Sequence, residues 1–229
     1  MKHFAHFFLA ITLSIAASCS TFDWSGTQFD RFSGIDVSHH QGRINWEQVA
    51  NDRQNIRFAY VKVTEGSTYH DPMYDENLRH ANYAGLDVGA YHFFRMTSSP
   101  ESQFENFSRH IAYYMDYMTL IPVVDVETFD GKTSEQVKGA LEKFVKLMHA
   151  KYGVYPIIYG PDIAPERMMS AYVNENCMFF LGQTDVIKPT KPYSIWQYAC
   201  RGKVNGIKSG VDLDRLHQSL SINDIQWDK

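Results

Sequence analysis

From Phe32 onward, the chain switches repeatedly between a two-residue and a 3.6-residue apolar period. Ser33 to Val37 reads as a short strand, and Asn45-Trp46-Glu47-Gln48 carries the capping-box pattern that opens a helix. Arg57 to Thr64 (RFAYVKVT) alternates and is rich in Val and aromatics, which predicts a second strand. Asp71-Pro72 supplies an N-cap followed by proline at the first helical position; Tyr74, Leu78 and Ala81 repeat at helical spacing, and Gly85 stops the helix. Val88 to Phe94 is the next strand. Ser99-Pro100 opens a helix with Phe104, Phe107, Ile111 and Met115 on one face. Ile121 to Val126 is an apolar strand, and Thr133 with Gln136 forms a second capping box. Val137, Leu141, Phe144, Val145 and Met148 make the buried stripe of that helix, Gly153 ends it, and Val154 to Tyr159 is the following strand.

Strands and helices in alternation predict parallel strands with crossover helices. After Tyr172 the pattern changes. Met178 to Leu181, Ser194 to Tyr198 and a stretch near Val211 read as strands joined by loops, without strong helices. The expected fold is therefore α/β: an irregular TIM-like β/α barrel of about five β/α units, closed by additional shorter strands for which an antiparallel sense is open. An open doubly wound sheet competes, but no Gly-rich phosphate loop follows the first strand, which lowers a nucleotide-binding version.

The first residues lie outside this pattern. Lys2 and His3 precede an apolar run from Phe4 to Ala17, short for a membrane span, and Ala16-Ala17-Ser18 leads into Cys19. Residues 1–19 are expected to be a secretory signal ending at a lipidated Cys19, although Ala16 stands where such sites usually carry Leu. Plain secretion is the alternative. Residues 20–31 are polar and read as a tether, and 32–229 as the catalytic barrel domain. The protein is thus expected at the cell envelope as a lipoprotein, or secreted. Two further cysteines, Cys177 and Cys200, either form a disulfide in that oxidising setting or stay free. The net charge of −4, without a run of Lys or Arg, argues against nucleic-acid binding. With 14 Tyr and 4 Trp the chain has rings to stack on sugar faces, though most rings are expected in core and rim positions.

Candidate chemistry concentrates at strand ends. Asp36, Glu65, Tyr91-His92, Asp125, Glu127, Tyr159 and Trp196-Gln197-Tyr198 all fall there, and in a parallel barrel these ends share one face. The strongest feature is Val123-Val124-Asp125-Val126-Glu127. Residues two apart on a strand face the same way, with α-carbons about 6.6 Å apart. Two carboxylates so placed beside an apolar core disfavour double ionisation, so one holds its proton. A protonated carboxyl beside an anion suits glycosidic cleavage. Paired carboxylates also suit Ca²⁺ or Mg²⁺, but no EF-hand loop or zinc motif is present, and no metal or cofactor is expected. His39-His40, being adjacent, are read as diverging loop residues rather than ligands.

Gly34-Ile35-Asp36-Val37-Ser38, Gln41-Gly42, Trp46, Phe58 to Gly66, Asp71-Pro72 and Ala84-Gly85-Leu86 carry a resemblance. So do Gly89 to Phe93, Pro122 to Glu127, Trp196-Gln197-Tyr198 and Gly210 to Asp214. In this order they resemble the family 25 glycoside hydrolases, the muramidases, over Phe32 to about His217. The resemblance implies a barrel of the irregular kind just described. It also implies hydrolysis of the β-1,4 bond between N-acetylmuramic acid and N-acetylglucosamine in peptidoglycan, by a retaining mechanism. It places the general acid/base on Glu127. Asp125 is either the nucleophile or the support for attack by the substrate's own acetamide. Asp36 and Asp212 fall in the pocket, and Tyr60, Lys62, Tyr91, Tyr159, Trp196 and Tyr198 are expected to bind substrate. Glu65 is expected to hold the turn at Gly66. The chain departs from the family pattern at Tyr159-Gly160-Pro161 and Met178 to Gln183, both in substrate-binding regions. The expected partners are peptidoglycan glycan strands and a membrane reached through the lipid, with the enzyme a monomer. A non-catalytic glycan-binding lipoprotein on the same barrel is the main alternative, and a barrel hydrolase for chitin a third.

Overall fold

A computed structural model describes residues 33–162, 164–182 and 189–229. Cys19, the signal and the tether lie outside the described residues. The chain enters on β1 (Ser33–Val37), turns through a short helix α1 (Trp46–Ala50), and returns on β2 (Ile56–Glu65), which ends in a hairpin with β3 (Tyr69–His70). Then come α2 (Tyr74–Tyr83), β4 (Asp87–Phe93), α3 (Pro100–Ile111), β5 (Val123–Asp125), α4 (Ser134–Tyr152) and β6 (Ile157–Pro161). Two short helices, α5 (Ala164–Arg167) and α6 (Ala171–Asn176), precede β7 (Phe179–Gly182), β8 (Ile195–Gly202) and β9 (Val211–Leu216).

The strands β1, β2, β4, β5, β6, β7 and β8 are parallel neighbours in that order. β9 runs antiparallel between β8 and β1 and closes the barrel. The irregular second half expected from the sequence is therefore narrower than expected: the four-residue β7 and the eight-residue β8 keep the parallel sense, and among these last strands β9 alone reverses. No helix among the described residues is long and apolar enough to cross a membrane.

Strand parity sorts the side chains into two layers. On β2, Phe58, Tyr60 and Lys62 point into the barrel, while Ala59, Val61 and Val63 are buried on the outer layer under the helices. Large and small residues alternate inside. A Cβ on Gly34 would lie 2.2 Å from the Phe58 ring, and one on Gly89 would lie 2.2 Å from the Tyr60 ring, so these glycines leave the space the two rings fill. This plug forms the floor beneath the strand ends.

The outer layer follows the predicted stripes. Val137, Leu141, Phe144, Val145 and Met148 of α4 are buried, and that helix begins at the Thr133–Gln136 capping box and ends at left-handed Gly153. Ser99 caps α3 as expected. Asp71 does not cap α2: the helix starts at Tyr74, and Asp71 serves another purpose. His92 also lies in this outer layer, stacked on Phe144 with centroids 5.2 Å apart and bonded to Thr64 and Gln103. Burial lowers its pKa to about 4, so it is a neutral packing residue.

Candidate active site

The parallel strands bring their C-terminal ends to one side, and the carboxylates gather there. Asp36, Asp125, Glu127 and Asp212 line one cleft of about 450 Å³ together with Tyr60, Lys62, Tyr91 and Tyr159. A shallower depression of about 220 Å³ shares Glu127, Tyr159 and Gln197 and continues past Pro161 and Gly182. Glu127 thus stands where two sugar-sized spaces meet. β5 places Asp125 at its last residue, and Glu127 follows two residues on, directed into the same cleft.

One side-chain chain ties three strands together. The Tyr159 hydroxyl donates to Gln197 Oε1 at 2.8 Å, and Gln197 Nε2 donates to Asp36 Oδ2 at 2.8 Å. Glu127 is also within hydrogen-bonding reach of Tyr159. A hydroxyl has one proton to give. With Glu127 protonated, its acid can donate to Tyr159 while Tyr159 donates to Gln197. Once Glu127 is ionised, Tyr159 can turn its proton toward the new charge. A Cβ on residue 182 would sit 2.5 Å from the Tyr159 hydroxyl, so Gly182 leaves room for this tyrosine.

Desolvation dominates the electrostatics. It raises the Asp125 carboxyl well above the ordinary range, aided by the charges of Glu127 and Asp36 and opposed by Lys62. Asp36 rises to about 8, first through desolvation and then through Asp212, against the Gln197 hydrogen bond. Glu127 rises through desolvation, opposed by Tyr159 and Lys62, and Asp212 rises to about 6 through desolvation and Glu127. Below them Asp214 is fully buried, and neither carboxyl oxygen has a hydrogen-bond partner. Desolvation, Asp36 and Asp212 push it far up as well. Near neutrality the cluster therefore retains protons, as a site that must donate one requires. Among the described residues, no group of three or more His, Cys, Asp and Glu is arranged to hold a metal ion.

Several expected site residues sit elsewhere or do other work. Gln197 faces the cleft, so its neighbours Trp196 and Tyr198 fall on the opposite face of β8, beside one another at 5.8 Å with Arg215 over the Tyr198 ring. The structure does not bring these two rings to the cleft. Tyr60 forms its floor but is closed to solvent and donates to the Ile121 carbonyl, so it packs rather than stacks. Cys177 and Cys200 are both free: Cys177 is buried, whereas Cys200 is exposed at the cleft, and no disulfide joins them. Glu65 does not hold the Gly66 turn, which is secured by Asn106 Nδ2 donating to the Gly66 carbonyl; Glu65 instead binds Lys62 and Arg95.

The sequence offers Gln197 only within a strand-end triplet and gives it no role of its own, and it does not point to the cleft-wall residue His40 or the anchor behind it. Asp71 is fully buried and accepts from the His39 backbone amide at 3.0 Å, with His39 Nδ1 at 2.7 Å from the same oxygen. It fixes the short turn after β1. Within that turn the His39 and His40 rings lie 4.0 Å apart instead of diverging. The signal for Gln197 is its parity with Ile195, hidden between two conspicuous aromatics.

A closed β/α barrel with a proton-holding carboxylate cluster at its C-terminal strand ends is the architecture of a glycoside hydrolase. Its affiliation is specific: the model of "Glycosyl hydrolases family 25" matches residues 35–207, and the chain belongs to that family. It is 32% identical over 218 residues to Lysozyme M1 of Streptomyces globisporus, spanning 87% of this chain and 70% of that protein. A family 25 glycosyl hydrolase from Bacillus anthracis superposes with a TM-score of 0.72 at 30% identity, covering 81% of this chain and 88% of that one. A bacterial lysozyme from Streptomyces coelicolor gives a TM-score of 0.75 at 28% identity, with coverages of 85% and 94%.

Proposed function

We propose that this glycoside hydrolase is a lysozyme that cleaves the β-1,4 bond between N-acetylmuramic acid and N-acetylglucosamine in peptidoglycan. One observation carries the assignment of roles: Asp125 and Glu127 face the same cleft, with Glu127 shared between its two depressions. A glycan strand laid across both would present a bridging oxygen beside Glu127.

Glu127, its carboxyl raised by desolvation, donates its proton to that oxygen as the bond breaks. For the two carboxyls to act in this order the proton they share rests on Glu127, which leaves Asp125 as the carboxylate, beside Lys62, that meets the positive charge developing on the sugar. Asp125 serves either as nucleophile or as the group that orients the substrate's own acetamide for attack. Glu127, now a carboxylate steadied by Tyr159, takes a proton from the incoming water. Asp36 and Asp212 hold substrate hydroxyls, and Asp36, protonated near neutrality, can donate as well as accept. Tyr91 supplies a wall of the cleft.

The substrate lies outside the cytoplasm, and the apolar run before Cys19 supports export with lipid attachment at that cysteine. Loss of membrane association in Cys19→Ser, with activity retained, tests the anchor. The enzymatic assignment is tested with Glu127→Gln on purified cell walls. The variant should keep its fold and bind walls but release no new reducing ends. Release at the wild-type rate removes Glu127 from the acid role, whereas a wild-type protein that binds walls and never cuts them is a glycan-binding module.

A further inference from the structure

We propose that Arg95 and Asp130 form a clamp that positions Glu127, making them positioning residues for the reaction although neither lines the cleft. This inference rests on the reading of Glu127 as acid/base. β5 ends at Asp125, so Glu127 is carried by a loop that continues to Asp130 and Gly131 before α4 begins. Both of those residues have positive φ, 45° at Asp130 and 77° at Gly131, a conformation uncommon outside glycine that Asp tolerates better than most residues, and here the side chain is held in it.

The constraint is visible. Arg95 Nε and Nη2 each donate to a separate Asp130 oxygen at 2.9 Å, the bidentate geometry that combines strength with orientation. The Met96 amide donates to Asp130 Oδ2 at 2.8 Å, and Thr128 Oγ1 donates to Asp130 Oδ1 at 3.2 Å. The loop is thereby pinned three residues after Glu127, while the Val126 amide donates to the Tyr159 carbonyl just before it at 2.9 Å.

Arg95 has a third contact. Its Nη1 donates to Glu65 Oε1 at 2.9 Å, and the other Glu65 oxygen receives Lys62 Nζ at 2.7 Å. Lys62 lines the cleft, where its ammonium acts on Asp125 and Glu127. One guanidinium therefore spans the ends of β2, β4 and β5, and fixes both the acid and the nearest cation. No pairing of this kind belongs to the helix or strand ladder. Its removal should leave the barrel standing and loosen the loop.

The test compares Asp130→Asn, Arg95→Lys and Glu127→Gln with wild type on a soluble peptidoglycan oligosaccharide, with thermal melts on each. A misplacement of about 1 Å at a catalytic group costs on the order of 100-fold. Asp130→Asn and Arg95→Lys should therefore lower kcat by about 10- to 100-fold with KM within about twofold, in protein that still melts cooperatively. If either fails to fold, the other and Thr128→Val, which removes the two hydrogen bonds between Thr128 Oγ1 and Asp130 and leaves the Arg95 pair intact, carry the comparison; Thr128→Val should show the same split at smaller size. Wild-type kcat in the folded clamp variants, or a fall in melting temperature with kcat unchanged, overturns the clamp while Glu127→Gln remains inactive. An active Glu127→Gln overturns the functional reading instead.

Discussion

Replacing Asp36 by Asn should stabilise the protein at neutral pH and leave its stability unchanged in acid. The Asp36 carboxyl moves from 3.8 to about 8 in the folded chain. A group whose folded pKa is raised contributes stability that is fully present below its unfolded value and lost as pH rises through the folded value. Each pKa unit corresponds to about 1.4 kcal/mol, so the interval from 3.8 to neutrality costs the fold about 4 kcal/mol through this one group. That figure is an upper bound, because Asp36 keeps partial contact with cleft solvent and because Asp212 and Glu127 take up part of the released proton affinity. The Asp36→Asn change removes the ionisation, and the amide oxygen it introduces can still accept from Gln197 Nε2. The expected gain is about 2–4 kcal/mol at pH 7, shrinking to nearly zero at about pH 4. Urea unfolding of both proteins across that range measures it. A difference that is the same at both ends, or a destabilised variant at neutrality, refutes the claim that burial holds the Asp36 carboxyl protonated at a cost to the fold. The cost is one that an active site can impose on its fold.

Three further outcomes follow from the packing and the thiols. His92 should titrate near pH 4 by imidazole NMR, since burial outweighs its bond to Gln103; a value near 6.5 contradicts the outer-layer placement. Gly89→Ala should destabilise by about 1–3 kcal/mol in urea melts, because the added Cβ would lie 2.2 Å from the Tyr60 ring; an unchanged midpoint shows that the floor is loosely packed. Alkylation without reductant should label Cys200 in the native protein and Cys177 only after unfolding, since Cys177 is buried and its thiol is pushed up to about 12; native protection of Cys200 argues against its place at the cleft.

The parts of the molecule that depend on neighbours in sequence were legible. The α4 stripe, its capping box and the Gly153 stop are local patterns with local causes. Asp125 was legible for the same reason, as the polar end of an apolar strand; Glu127 shares its cleft as the two-residue spacing suggested, although β5 stops at Asp125 and Glu127 stands on the loop beyond it. What depends on distant partners was not. Asp71 has the local look of a helix cap, and one oxygen does accept from the nearby Met73 amide, but only the fold shows that the other holds His39, 32 positions away. The sequence offers many acids for Arg95, and nothing in it selects Glu65 and Asp130. Trp196 and Tyr198 drew attention as sugar-stacking rings, yet which face of β8 points inward is set by barrel closure and by the register shift after Gln197. The same closure decided that β7 and β8 run parallel.

The most direct measurement is mass spectrometry of the products released from defined peptidoglycan by the purified enzyme. New ends consisting of reducing N-acetylmuramic acid, absent with Glu127→Gln, are the expected result. Fragments ending in reducing N-acetylglucosamine, or cleavage that persists without the Glu127 carboxyl, would contradict it.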